Sequence, residues 1–264
     1  MTNSPDRNGA SGAIERSNFA SDDLTELARA RSEAINLVQW PARVAYSYLT
    51  SGVPERRTDL EFRAADAALV TRQFADGVAL EMRLPDLHLQ FLQNGRPMPH
   101  VFDPQERSPA EAEAWILVEL LHRGIDREKF SKKLLYAIPG LLTGDAEDYA
   151  PQACRKGLIQ LTDWFGKAAA VLEAGAHARG VHEVHIICLP QTLDLTLAPL
   201  SGAKSIQLGF SLGDTENPEP YFYAGGEPNP TSSKPPRAIV SGSKLLAQSD
   251  PAGAAAMLLK MAAG

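Results

Sequence analysis

The sequence predicts an α+β fold in which helices pack on antiparallel sheet meanders. Three observations carry this. Segments with apolar residues at period two cluster in two groups, around 60–101 and 184–240. Long stretches with a three-to-four-residue apolar repeat precede each group. Short turns containing Asn-Gly or Pro-Asp connect neighbouring strands, as antiparallel pairs allow and parallel pairs do not.

In chain order, residues 1–21 are polar and rich in Asn, Ser and Gly, and read as a flexible tail. Asp22 or Asp23 caps a helix running towards Leu49, with Leu24, Leu27, Ala28, Ala34, Ile35 and Val38 on its buried side. Pro41 is expected to kink or split it after Trp40, and Gly52 and Pro54 to end it. Val78, Leu80, Met82 and Leu84 alternate with Ala79, Glu81 and Arg83, marking a half-buried strand. Leu87, Leu89 and Phe91 form the next, and Asn94-Gly95 turns the chain into Met98–Val101. Segments at Leu60–Phe62 and Leu69–Phe74 extend this meander.

Ser108-Pro109-Ala110-Glu111 joins a capping serine, a proline at the first helical position and a glutamate three residues on. The helix should reach His122 and stop at Gly124, burying Trp115, Ile116, Val118 and Leu121. Pro151 starts a long helix to about Glu173, through Leu158, Leu161, Phe165, Ala168 and Leu172. Strands follow at Val184–Leu189, Thr192–Leu197, Ser205–Leu212, Tyr221–Tyr223 and Ala238–Val240. Asp250-Pro251 caps a final helix. The chain thus reads as one domain over 22–264, with two similar α-β-α halves at 22–140 and 141–264.

Composition excludes several classes. With 264 residues, 44% hydrophobic, the chain buries a large core without disulfides. The net charge of −6, with basic residues only in pairs such as Arg56-Arg57 and Lys132-Lys133, argues against nucleic acid. No apolar run reaches membrane-spanning length. The N-terminus has no basic segment followed by an apolar one, so the chain is expected to be soluble and cytoplasmic, with Cys154 and Cys188 as reduced thiols.

Four possible metal ligands, His177, His182, His185 and Cys188, fall within twelve positions. Their types suit zinc, but on a regular strand His182 and His185 point to opposite faces, so no metal or other cofactor is expected. His185 with Asp194 across the Pro190-Gln191 turn is the candidate catalytic pair, a general base oriented by a carboxylate. The evenly polar face of Thr192, Asp194 and Thr196 opposite Leu193, Leu195 and Leu197 argues against catalysis and reads as the wet side of a strand. Residues 213–242 hold ten glycines and prolines in thirty positions. Asp214, Glu216 and Glu219 with Tyr221 and Tyr223 make this segment a candidate wall of a ligand site. Gly209-Phe210-Ser211-Leu212-Gly213 matches GxSxG by letter, but a Pro-rich loop follows Ser211 and no histidine lies beyond His185, so it reads as a strand end.

The second half resembles an uncharacterised bacterial domain-of-unknown-function family. The resemblance is carried by Val184-His185-Ile186-Ile187-Cys188 with Leu193-Asp194-Leu195, by Gly209-Phe210-Ser211-Leu212-Gly213, and by Glu219-Pro220-Tyr221-Phe222-Tyr223. The family has tryptophan at the position of Cys188 and proline at that of Leu212; the element order corresponds from about residue 35 to 225. It implies a shared fold and brings no activity. The leading functional expectation is a small-molecule-binding protein with a cleft by the second sheet, using Glu219, Tyr221 and Tyr223. The alternatives are a hydrolase or isomerase using His185 and Asp194, or a non-catalytic protein-interaction module.

Overall fold

The computed structural model describes residues 21–50, 56–198, 207–225, 238–248 and 250–263. The expected N-terminal tail therefore lies almost wholly outside the described residues, as does 226–237 of the Gly/Pro-rich segment. The fold is α+β. Among the described residues ten strands form one antiparallel sheet: β1 (Leu60–Arg63), β2 (Ala68–Val70), β3 (Val78–Arg83), β4 (Leu89–Gln93), β5 (Arg96–Phe102), β6 (Ile186–Leu189), β7 (Asp194–Leu197), β8 (Gln207–Ser211), β9 (Tyr221–Gly225) and β10 (Ala238–Ser241). Their order is β10-β9-β8-β7-β6-β1-β2-β3-β4-β5. Two five-stranded meanders thus meet at an antiparallel β1–β6 seam, with Leu60 opposite Cys188.

Each meander follows a long helix, α1 (Ser21–Tyr48) or α3 (Arg155–His177), and precedes shorter ones: α2 (Pro109–His122) after the first, α4 (Gly242–Gln248) and α5 (Pro251–Ala263) after the second. Helices α1 and α3 cross on one sheet face, and a hydrophobic cluster including Leu37, Leu80, Phe91, Phe165, Phe210 and Phe222 runs through both halves beneath them. Strand alternation makes this possible: Leu195, Phe210 and Phe222 point into the cluster, so their neighbours point to the other face.

Local signals act as their chemistry requires. Asn94 and Gly95 have φ of 50° and 77°, the two left-handed positions of a tight hairpin between paired Gln93 and Arg96. Ser108 and Glu111 form the reciprocal capping box at α2. Pro97 and Pro99 lie on β5, an edge strand, where a missing N–H costs no ladder bond.

Several expectations are corrected. Pro41 neither ends nor splits α1, which continues seven residues past it to Tyr48. Its missing N–H deprives one helical carbonyl, while burial of Leu37, Val38, Trp40, Val44 and Ala45 on both sides holds the helix together. Trp40 adds an anchor, its Nε1 donating to the Tyr149 hydroxyl at 2.9 Å. Helix α2 is rotated from its expected face: Ala112, Ile116, Glu119 and Leu120 are buried, whereas Val118 and Leu121 are 47% and 55% exposed. Arg123, stacked 4.4 Å over the Phe91 ring, bonds the Glu119 carboxylate and so lets α2 bury an acid. Residues 151–154 form a 3₁₀ turn before α3, and α4 was hidden in the sequence by the surrounding Gly/Pro density.

Candidate functional site

Where the β6–β7 and β8–β9 connections reach the end of the sheet, they meet the N-terminal half of α1. A cleft of about 430 Å³ lies between them. Its apolar walls include Leu24, Leu27 and Ile35 of α1, with Ile138 and Leu212 opposite; its polar lining includes Arg31 and Asp214. The irregular 125–150 segment, which supplies Ile138, is tied to α1 by several hydrogen bonds, two of them beside the cleft. Tyr136 donates its hydroxyl to Gln39 Oε1 at 3.0 Å, and the Leu142 N–H donates to Asn36 Oδ1 at 2.7 Å.

The 212–220 loop is built around Asp214. Its Oδ1 accepts the N–H groups of Glu216 and Asn217 at 2.8 and 2.7 Å, and its Oδ2 accepts the Tyr221 hydroxyl at 2.6 Å. Gly213 is required here: its φ is +109°, and a Cβ would stand 2.5 Å from the Pro218 carbonyl oxygen. Burial works to raise the Asp214 pKa, but these donors and the nearby Arg31 outweigh it and hold the carboxylate below its ordinary value. Opposite, Arg31 donates to the Thr192 carbonyl at 3.2 Å, while its Nε is buried without a hydrogen-bond partner. Thr192 belongs to a turn in which Leu193 takes a left-handed φ of 59°.

Behind the cleft lies Asp194, at the start of β7 and on the sheet face away from the core. It is 4% exposed, and one carboxylate oxygen lacks a hydrogen-bond partner. Desolvation pushes its pKa up to about 7, against the opposing pull of the Ser211 hydroxyl, the Arg31 guanidinium and Thr192. The β8–β9 register pairs Ser211 with Tyr221. The structure thus assembles the buried Asp194, Ser211 and Tyr221 with the half-buried Arg31 and Asp214 into one polar group joining three strands, a loop and α1.

This arrangement sets a pH dependence. An aspartate with ordinary value 3.8 and folded value about 7 binds more protons folded than unfolded between those pH values. Its ionisation therefore costs stability progressively from pH 4 to 7, and the whole cost is present above 7. Asp194→Asn, which cannot ionise, is expected to be more stable than the native chain at pH 8 by roughly 1–3 kcal/mol. Chemical denaturation at pH 5 and pH 8 checks this; equal pH dependence in the two proteins would show that Asp194 is not the titrating group.

The other expected site residues are distributed differently. His185 is exposed and precedes β6, and its carbonyl accepts from Ala198 at the open end of the β6–β7 hairpin. Asp194 pairs with Leu189 at the closed end. Four strand positions, about 13 Å, lie between them along the hairpin, so no His185–Asp194 dyad forms. The polar side of β7 is also not wet: Thr196 is buried beside Gly209, over which the Tyr223 ring lies. Tyr221 enters the polar group through Asp214, whereas Tyr223 sits one row further along, with ring centroids 6.4 Å apart. Glu219 is directed elsewhere, accepting from Ser241 Oγ at 3.2 Å. Ser211 ends β8 and is followed by the loop rather than a helix.

His177, His182, His185 and Cys188 do not gather: the histidines are exposed, while Cys188 is wholly buried, its thiol pushed up by desolvation. Among the described residues the converging set of possible metal ligands is His100, Glu119 and His122.

Arg31 is the site residue sequence reading missed. Its signal was available, since it stands four residues after Leu27 and three before Ala34, on the core stripe of α1. No helix among the described residues is long and apolar enough to cross a membrane. Comparison with protein-family models, with curated proteins and with solved structures finds no match to the chain.

Proposed function

We propose that this protein, a soluble cytoplasmic member of the bacterial family its second half resembles, binds a small amphipathic carboxylate in the cleft beneath α1. One observation carries the reading: a guanidinium with a buried, unpartnered Nε lines an apolar-walled cleft. A buried donor without an acceptor is costly, and a carboxylate meets a guanidinium through two parallel bonds. The volume of about 430 Å³ falls within the usual range for small-ligand sites. Leu24, Leu27, Ile35, Ile138 and Leu212 would hold the ligand's hydrocarbon part. Asp214 is engaged by three donors, and Asp194 in its protonated form adds no negative charge, so a ligand carboxylate is tolerated beside them.

The test is a thermal-shift screen of the full chain with aliphatic and aromatic carboxylic acids and their matching amides, followed by calorimetry. Acids are expected to raise the melting temperature and amides not. Arg31→Met should weaken the best acid at least tenfold, and Ala28→Trp, which fills the cleft, should abolish binding. Equal responses to acids and amides, or unchanged binding in Ala28→Trp, would overturn the proposal.

A further inference from the structure

The geometry points to a second site, independent of the cleft: a divalent zinc-type metal site formed by His100, Glu119 and His122 at the far edge of the first meander. His100 is on edge strand β5, whereas Glu119 and His122 are three residues apart on the last turns of α2, where such spacing places side chains on one face. Their ligand atoms, one imidazole nitrogen from each histidine and one carboxylate oxygen, lie within 4.8 Å of one another. Glu119 Oε1 is 2.8 Å from His100 Nδ1 and 3.5 Å from His122 Nδ1.

With metal–ligand bonds near 2.1 Å, tetrahedral coordination needs donors about 3.4 Å apart. The His122 separation already satisfies this. The His100 separation must widen by about 0.6 Å and the two histidine nitrogens, within 4.8 Å of each other, must close to the same spacing, which a side chain 62% exposed on an edge strand can supply.

Glu119 gives the cluster the character of a built site. Its side chain is only 3% exposed, and its second oxygen, Oε2, accepts from Arg123 at 2.7 Å. Arg123 is itself held on the Phe91 ring and also donates to the Glu119 carbonyl. The carboxylate is therefore oriented from behind by a fixed outer partner, with Oε1 presented to the two histidines. Both histidine rings are more than half exposed, which leaves a fourth position open to water. Two nitrogens and one oxygen favour zinc and its first-row neighbours over magnesium or calcium, which prefer oxygen-only sets. Bound metal would clamp β5 to the end of α2, adding to the His100–Glu119 hydrogen bond and to the packing of Trp115 on Phe102.

The test uses the full chain without a histidine tag, titrated with zinc chloride in a calorimeter and against a chromophoric chelator. One zinc per chain is expected, with a rise in melting temperature and no response to magnesium. His100→Ala and His122→Ala, both surface changes, should each weaken zinc at least tenfold. His88→Ala, at the separate Asp86–His88–Asp103 contact, should leave it unchanged. Cobalt should give visible bands of four-coordinate intensity in the native chain and lose them in His122→Ala. Absence of stoichiometric zinc binding, or zinc binding that survives both histidine changes or disappears in His88→Ala, would refute the site. None of these readouts depends on the carboxylate cleft.

Discussion

Truncation of Phe210 to alanine is expected to lower stability by about 3–5 kcal/mol, the range for removing a fully buried aromatic ring. Phe210 is inaccessible to solvent on β8 and stands where three aromatic neighbours meet. It stacks on Trp164 at 5.9 Å between centroids, meets Phe165 edge-on at 6.4 Å and tilts against Phe222 at 5.1 Å. Trp164 and Phe165 belong to α3, so this ring keys that helix to the second meander. The neighbours are themselves large and held by their own packing, so the site cannot collapse to fill the void. Denaturant unfolding should show the midpoint falling with the slope unchanged. A loss below about 1 kcal/mol would mean that α3 does not rest on β8 as described.

The second large effect is expected at the crossing of α1 and α3. A Cβ added at Gly157 would lie 2.1 Å from the Glu26 carbonyl oxygen and 2.9 Å from the Ala30 Cβ. The first of these is backbone, so no side-chain rotation relieves it; the helices must separate. Overpacking of this kind costs typically 1–3 kcal/mol and sometimes more, against a gain of about 1 kcal/mol from alanine's helix propensity. With a backbone atom in the way the cost lies at the upper end, so Gly157→Ala is expected to destabilise by about 1–2 kcal/mol net. Gly166, on the same helix with no atom within 4 Å of its would-be Cβ, supplies the control. Gly166→Ala should stabilise by about 0.5–1 kcal/mol. Thermal unfolding of the two variants, shifting in opposite directions, checks the crossing.

Much of the candidate site was written in local sequence only in part. Asp194 stands out in the sequence as a carboxylate across the turn from His185, and Tyr221 as a phenol in the Gly/Pro-rich segment, and the structure places both in the polar group. Asp214 was visible as one of three loop carboxylates, but nothing local separates it from Glu216; the two backbone donors and the Tyr221 hydroxyl do that. Ser211 was discounted because its motif lacks the following helix, which is correct for a nucleophile elbow yet silent about its hydrogen bond to Asp194. His185 looked like Asp194's partner because they are close in sequence. In a hairpin, however, proximity depends on register, and Leu189 rather than His185 stands opposite Asp194.

The α+β class, the Asn94-Gly95 hairpin, the Ser108 cap and most strands followed from the sequence alone. Each depends on interactions within a few residues: side-chain alternation, a turn's need for left-handed backbone, or a hydroxyl reaching an N–H three positions on. The joining of two meanders along β1 and β6, the rotation of α2, the continuation of α1 through Pro41 and the meeting of Arg31 with Asp194 and Asp214 were decided by tertiary structure. Arg31 and Asp214 are separated by most of the chain and become neighbours only because α1 packs across the end of the second meander. The same holds for His100 and Glu119, brought to 2.8 Å by a helix docking on an edge strand. Local propensity carries no information about such encounters, because they depend on which surfaces bury the most apolar area together.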